Sequence, residues 1–259
     1  MSSHPHRNRL RRGLLAAPHV MADPVRRFLS FDGRDGGRGV EIFGDLSHAE
    51  RIAVPVPGAG IGVDRYWRLR NGAFALHSEL GERSAIVAWL GYETPTTVNP
   101  TSVTSGQADE AAPELRDLIG ELIGLKPAVR TSLVCHSYGS VVRARAGHGL
   151  READTVLCGS PGTGYGNAAD LHTPATVRAD RGSDDWIADV PHMKLQLPFV
   201  EVGSATDPVS PESGAEIFAA GDGGHRDDYL KPGSSPLKNI ARIVAGTAMS
   251  AEPSGERHA

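Results

Sequence analysis

Short apolar runs alternate along this chain with longer stretches in which apolar residues return every three or four positions. Runs of the first kind read as strands and stretches of the second kind as amphipathic helices. Arg27 to Asp32 and Gly39 to Gly44 are strand-like, and Gly33-Arg34-Asp35-Gly36-Gly37 between them reads as the loop of a hairpin. Arg51 to Pro57 is a third strand, whose prolines imply distorted pairing or an end position. Asp64 can then cap a helix running to about Leu80, with Tyr66, Leu69, Ala73, Leu76 and Leu80 on one face and Gly81 as its stop. Ser84 to Leu90 is nearly all apolar, as expected of a strand buried on both faces.

From Gly91 to Gln107 the chain is rich in Thr, Pro, Ser and Gly without periodicity, which reads as a binding or lid segment or as a plain surface excursion. Asp109 to Ile123 carries a helical stripe through Leu115, Leu118, Ile119 and Leu122, ending at Gly124. A fifth strand closes at Leu133 and Val134. Thr155 to Gly159, Ala175 to Ala179 and Pro198 to Gly203 read as the sixth to eighth strands. Ser235 and Pro236 cap a last helix over Leu237 to Ala245. Strands three to eight alternate with helices or long crossovers, so the pattern predicts an α/β fold with a mostly parallel eight-stranded sheet behind an antiparallel N-terminal hairpin. It occupies residues 24–246 as one domain, between a leader of residues 1–23 and a disordered polar tail of residues 247–259.

Composition narrows the function classes. At 259 residues and 39% hydrophobic content the chain can bury a sizeable core. Its net charge of −4 comes without a basic stripe, so nucleic acid is not an expected partner. No apolar run reaches the ~18 residues of a membrane span. Arg11-Arg12-Gly13-Leu14-Leu15 faintly resembles a twin-arginine export signal, but the stretch after it is short and broken by Pro18 and His19. A basic leader, or a true start at Met21, competes with export, and a cytoplasmic location is the expectation. Cys135 and Cys158 each close an apolar run and read as reduced core thiols rather than a disulfide. Their spacing offers no metal site.

The candidate chemistry centres on Val134-Cys135-His136-Ser137-Tyr138-Gly139-Ser140. A strand precedes it and a helix follows, with a serine at the apex of the turn and small residues two before and two after, the pattern of a nucleophile elbow. Cys135 stands where that pattern has its first glycine. Small residues are needed because a turn this tight would drive larger side chains into the neighbouring strand and helix. The turn holds the Ser137 hydroxyl at a helix N-terminus, where the Tyr138 amide can face a developing oxyanion. Gly58-Ala59-Gly60-Ile61-Gly62 follows the third strand directly. It lacks the ending of a phosphate loop, so it reads as the source of a second oxyanion amide, from Ala59 or Gly60, or as a plain turn.

These motifs, with Phe31-Asp32, Gly44-Asp45-Leu46, Val56-Pro57-Gly58, Leu90-Gly91-Tyr92 and Asn239-Ile240-Ala241-Arg242-Ile243, resemble the α/β-hydrolase superfamily. They are most similar to a branch filed as a domain of unknown function, over Phe28 to Gly246. The resemblance implies a serine, acid, histidine order along the chain, with the acid after strand seven. It sets Asp-Trp-Ile here against Asp-Pro-Ile in relatives and makes Asp185 the first choice of acid. Asp207 and Asp184 are the alternatives, and Asp180 reads as a capping or turn residue. The base must follow the acid. His225, in a glycine-rich loop, is the first choice and His192 the alternative, while His136 reads as structural. The implied reaction is cleavage of a small-molecule carboxylic ester through an acyl-enzyme on Ser137, without metal or cofactor. An acyltransferase, thioesterase or cyclase using the same residues, or a binding protein that keeps the fold alone, are the rivals. Oligomeric state is not legible.

Overall fold

The computed structural model describes residues 26–32, 37–95, 106–147, 149–185, 206–219 and 227–247. Eight strands form a single sheet: β1 (Arg27–Asp32), β2 (Arg38–Gly44), β3 (Arg51–Val56), β4 (Ser84–Leu90), β5 (Arg130–His136), β6 (Asp154–Cys158), β7 (Thr176–Asp180) and β8 (Glu216–Ile217). Their spatial order is β1-β2-β4-β3-β5-β6-β7-β8. β2 runs antiparallel to both β1 and β4, and every pair from β4 to β8 is parallel. This is the predicted architecture. The strand expected over Pro198–Gly203 lies outside the described residues, and the eighth strand of the sheet is the short Glu216–Ile217.

The prolines of β3 distort its pairing near its C-terminal end, as expected. β3 lies between β4 and β5, and its pairing with β4 stops at Ala53 while the β5 ladder continues through Pro55 to Val56. A proline has no N–H to donate, so one ladder ends where it sits. The strands β3 and β4 part at their C-terminal ends, and the loops that build the site fill the opening.

Among the described residues four α-helices cover the sheet: α1 (Tyr66–Leu80), α2 (Gly106–Leu125), α3 (Gly139–Ala146) and α4 (Ser235–Ala245). Leu115, Ile119 and Leu122 of α2 and Val141 and Val142 of α3 pack with Val54, Val87, Leu133 and Leu157 on one face. Ala73 and Leu76 of α1 and Leu237, Ile240 and Val244 of α4 pack with Ala53, Ile86, Val134 and Val156 on the other. Two capping expectations shift. α1 opens from a tight turn over Val63–Arg65 without a side-chain cap, so Asp64 does not cap it. α4 is capped one residue earlier than predicted, by Ser234, whose hydroxyl accepts from the Leu237 N–H.

One polar contact locks the helix after β5 to the sheet. Arg143 of α3 and Glu152, ahead of β6, form an ion pair with both side chains fully buried. Thr155 closes it, accepting from Arg143 Nε at 3.0 Å and donating to Glu152 Oε1 at 2.9 Å. Such a pair is costly to break from one side, because the surviving charge stays buried alone. Arg143→Met or Glu152→Gln is expected to lower stability by about 3–5 kcal/mol in denaturant titration, and combining Arg143→Met with Glu152→Leu to recover most of it. A single variant with unchanged stability would contradict this role.

Candidate active site

The turn after β5 is built by steric necessity. Ser137 adopts φ 50°, one of two positive-φ residues other than glycine among the described residues. L-residues enter that region at a cost and mainly where the surroundings impose it. A Cβ at Gly139 would lie 2.5 Å from the Val56 carbonyl oxygen and 2.9 Å from that of Pro57. A Cβ at Gly58 would lie 2.8 Å from Ser137 Cβ. Glycine at both positions is what lets the end of β3 press against the serine. Cys135, in contrast, needs no such allowance. Its side chain is buried in the core on the α2 and α3 face, and burial pushes its thiol up to about 12, so it stays protonated.

The chain that follows β4 fixes the loop that follows β3. Tyr92 Oη donates to the Pro57 carbonyl at 2.6 Å, Thr94 Oγ1 to the Ile61 carbonyl at 3.1 Å, and the Gly60 N–H to the Pro95 carbonyl at 2.7 Å. Of the two loop residues predicted to offer an oxyanion amide, Gly60 therefore has its N–H committed to Pro95, and Ala59 beside it is the remaining choice with Tyr138. Tyr138 is held through its side chain. Its ring stacks on Tyr92 at 6.2 Å, its hydroxyl accepts from the Ala108 N–H at 3.1 Å, and burial pushes its phenol up to about 12. The stretch from Gly91 to Gln107, read as a binding or lid segment or as a surface excursion, thus divides: residues 91–95 brace the loop, residues 96–105 lie outside the described residues, and Gly106 and Gln107 already belong to α2.

The three predicted acids occupy different settings. Asp185 is 2% exposed, and its carboxylate accepts the Tyr229 hydroxyl at 2.6 Å. Tyr229 Oη in turn accepts from the Gly182 N–H at 3.1 Å, so the pair is anchored to the turn after β7. The Tyr229 ring lies against the His136 ring at 5.7 Å, which connects Asp185 to the serine turn through two contacts. Asp184 is exposed. Asp207 is drawn into an ion pair with Arg181, at 2.9 Å to one oxygen and 2.8 Å to the other, and also accepts from the Val209 N–H. The predicted bases, His225 and His192, both lie outside the described residues.

The sequence misread Asp180. It ends β7 with its side chain buried, in register with Cys158, which is itself in register with His136. Among the described residues neither carboxyl oxygen meets a backbone, hydroxyl or cationic donor, and the Cys158 thiol is the carboxyl group's one hydrogen-bond partner. Burial, reinforced by the nearby charge of Asp185, holds its pKa well above the ordinary 3.8 despite the Cys158 thiol close by. Tyr229 was not singled out either. The available signal was an aromatic residue with a polar tip four positions after the favoured histidine. Among the described residues no group of three His, Cys, Asp or Glu side chains is placed to hold a metal ion.

Two consequences can be measured. Asp180 binds its proton more tightly in the folded chain, so it makes stability fall as pH rises from 3.8 toward its raised folded value. Asp180→Asn is expected to remove that contribution, read as the difference between the two proteins' stability-against-pH curves; parallel curves would contradict the assignment. Gly139→Ala is expected to cost about 1–3 kcal/mol, because the added methyl meets backbone rather than a movable side chain. A neutral result in thermal unfolding would show that the turn has more room than its contacts indicate.

Comparison with known proteins bears on the whole arrangement. A sequence model of the family described as alpha/beta hydrolase matches residues 32–195. Among solved structures, an α/β serine hydrolase without a lid, XC6422 from Xanthomonas campestris, is similar with a TM-score of 0.56 and 17% identity, over 89% of this chain and 98% of that one. Carboxyl esterase 2 from Tuber melanosporum aligns over 95% of this chain and 99% of its own, at 14% identity and a TM-score of 0.48. No curated protein matches.

Proposed function

The chain belongs to the α/β-hydrolase family, and from that premise we propose that it is a serine hydrolase cleaving carboxylic esters of small molecules. The observation that carries the reading is Ser137 itself, at positive φ between β5 and α3 with glycine packed against it from two sides. An L-residue takes that conformation at a cost and where its surroundings impose it, and such positions cluster at active sites. We also place the chain, on the motifs around His136-Ser137-Tyr138, nearest a branch filed as a domain of unknown function, which says little about substrate.

In this reading His225 removes the Ser137 proton as Oγ attacks the ester carbonyl carbon. The carbonyl oxygen takes the negative charge and is met by the amides of Tyr138 and Ala59. Collapse breaks the bond to the alcohol oxygen, which leaves with the proton from His225. Water, deprotonated by the same imidazole, then attacks the acyl carbon and restores Ser137. Asp185 holds the tautomer and offsets the imidazolium charge. It suits that role better than Asp180, because the Tyr229 hydroxyl donates to its carboxylate, whereas burial with only the Cys158 thiol as donor favours the protonated form of Asp180. Asp207 is already neutralised by Arg181. Two reduced cysteines fit a reducing compartment, and the cytoplasm is the proposed setting; among the described residues no helix is long and apolar enough to cross a membrane.

The test is covalent labelling with a fluorophosphonate, read by mass spectrometry at Ser137, together with turnover of nitrophenyl esters. Labelling is expected in the parent protein and absent in Ser137→Ala. Asp185→Asn is expected to lower kcat by about four orders of magnitude, by analogy with the loss of the orienting carboxylate in serine proteases, and Asp207→Asn to leave it within about tenfold. Folded protein that does not label would sink the acyl-enzyme and leave a binding role. Labelling with transfer to added alcohols, amines or thiols in preference to water would make it a transferase.

A further inference from the structure

A cavity opens beside the serine turn, on the face of the sheet covered by α1. It has about 510 Å³ of empty space when the solvent in its open mouth is counted. Gly58 and His136 border it at the serine end, and a Cβ on Gly58 would lie 3.2 Å from His136 Nδ1 as well as against Ser137. Val56, Val134, Ile61 and Leu69 form its walls. Gly72 of α1 and Leu230 also line it, and a Cβ on Gly72 would meet Leu230 Cβ and Cδ1 at 3.0 Å each. The two residues close against one another only because position 72 has no side chain.

Its polar lining residues present little charge. Tyr229 gives its hydroxyl to Asp185, so the cavity meets the ring. The Cys158 thiol is pushed up by burial and stays neutral. Arg68 is the one formally charged residue among the described lining, and its guanidinium lies over the ring of Trp67 at 5.3 Å, on a side chain that is 55% exposed. Arg68 Nε is buried, so the stem and the base of the guanidinium belong to the wall, while the stacking contact with Trp67 engages its charge.

We propose that this cavity is the acyl-binding site, that it takes an uncharged, apolar acyl chain, and that Leu230 seated on Gly72 sets the length accepted. The proposal rests on the serine-hydrolase reading for its chemistry. An acyl carbon between Ser137 Oγ and the oxyanion amides has Gly58 beside it, and a chain leading past Gly58 enters the cavity. Each methylene buried there favours binding by about fourfold, the equivalent of about 0.8 kcal/mol.

The experiment varies acyl length from acetyl to decanoyl with one leaving group, then alcohol length with one acyl group. The expected kcat/KM rises with acyl length by about fourfold per methylene until the cavity is full and then falls. Leu230→Ala should move the optimum to longer chains and Gly72→Val to shorter ones. A Gly72→Val protein that fails to fold leaves Leu230→Ala to decide. Length dependence confined to the alcohol, an optimum that Leu230→Ala leaves in place, or a preference for acyl chains ending in a carboxylate that Arg68→Gln abolishes would each overturn the proposal. Binding of the free carboxylic acids to the Ser137→Ala protein, followed by calorimetry, separates it from the reaction. Saturable binding whose length limit moves with Leu230→Ala supports the site even if the parent never labels; no saturable binding at any length overturns it even if the parent does.

Discussion

The backbone of Gly139 approaches the carbonyls of Val56 and Pro57 more closely than a methyl group would allow, and the serine turn depends on that approach. Ser137 is held at positive φ because β5 ends, α3 begins and the tip of β3 crosses between them within one tight space. The early termination of the β3–β4 ladder at Ala53, ahead of Pro55, belongs to the same arrangement. With those strands parted, the loop after β3 can lean over the serine, and Tyr92, Thr94 and Pro95 supply the hydrogen bonds that keep it there. The stacked rings of Trp89, Tyr92 and Tyr138 join the brace to the residue after the serine. Position and rigidity at the site therefore come from backbone crowding on one side and an aromatic stack on the other.

Charge is placed as selectively as space. Two carboxyl groups are buried within a few residues of each other at the end of β7, and their hydrogen bonding separates them. Asp185 accepts a hydrogen bond from the Tyr229 phenol, while Asp180 has only the Cys158 thiol as donor and is held by burial toward its protonated form. Tyr229 is the residue that makes the difference. It also forms part of the cavity wall and touches His136, so one phenol connects the acid, the serine turn and the acyl site of the proposed reaction.

Much of this was legible in the sequence because it rests on short-range pattern. Apolar runs and helical stripes locate β1 to β7 and the helices α1, α2 and α4 to within a few residues, and the small residues flanking Ser137 report the turn and the helix that follows it. What escaped is what depends on partners distant in the chain. Asp180 looks like a turn residue because aspartate is common in turns, and only the packing of β6 and the Asp185 turn around it shows that it is buried. Pro55 marks broken pairing, yet which ladder breaks depends on strand order. The loop amide of Gly60 reads as available until the chain after β4 folds back to claim it. Tyr229 gains meaning only beside Asp185, forty-four residues earlier.

The enclosed Arg143–Glu152 pair has a bearing on how such a chain can diversify. Each partner is tolerable only in the company of the other, so neutral drift through either single replacement crosses a valley in fitness. Lineages carrying this pair should keep both members or exchange both together, and a related chain bearing an apolar residue at one site is expected to bear an apolar residue at the other.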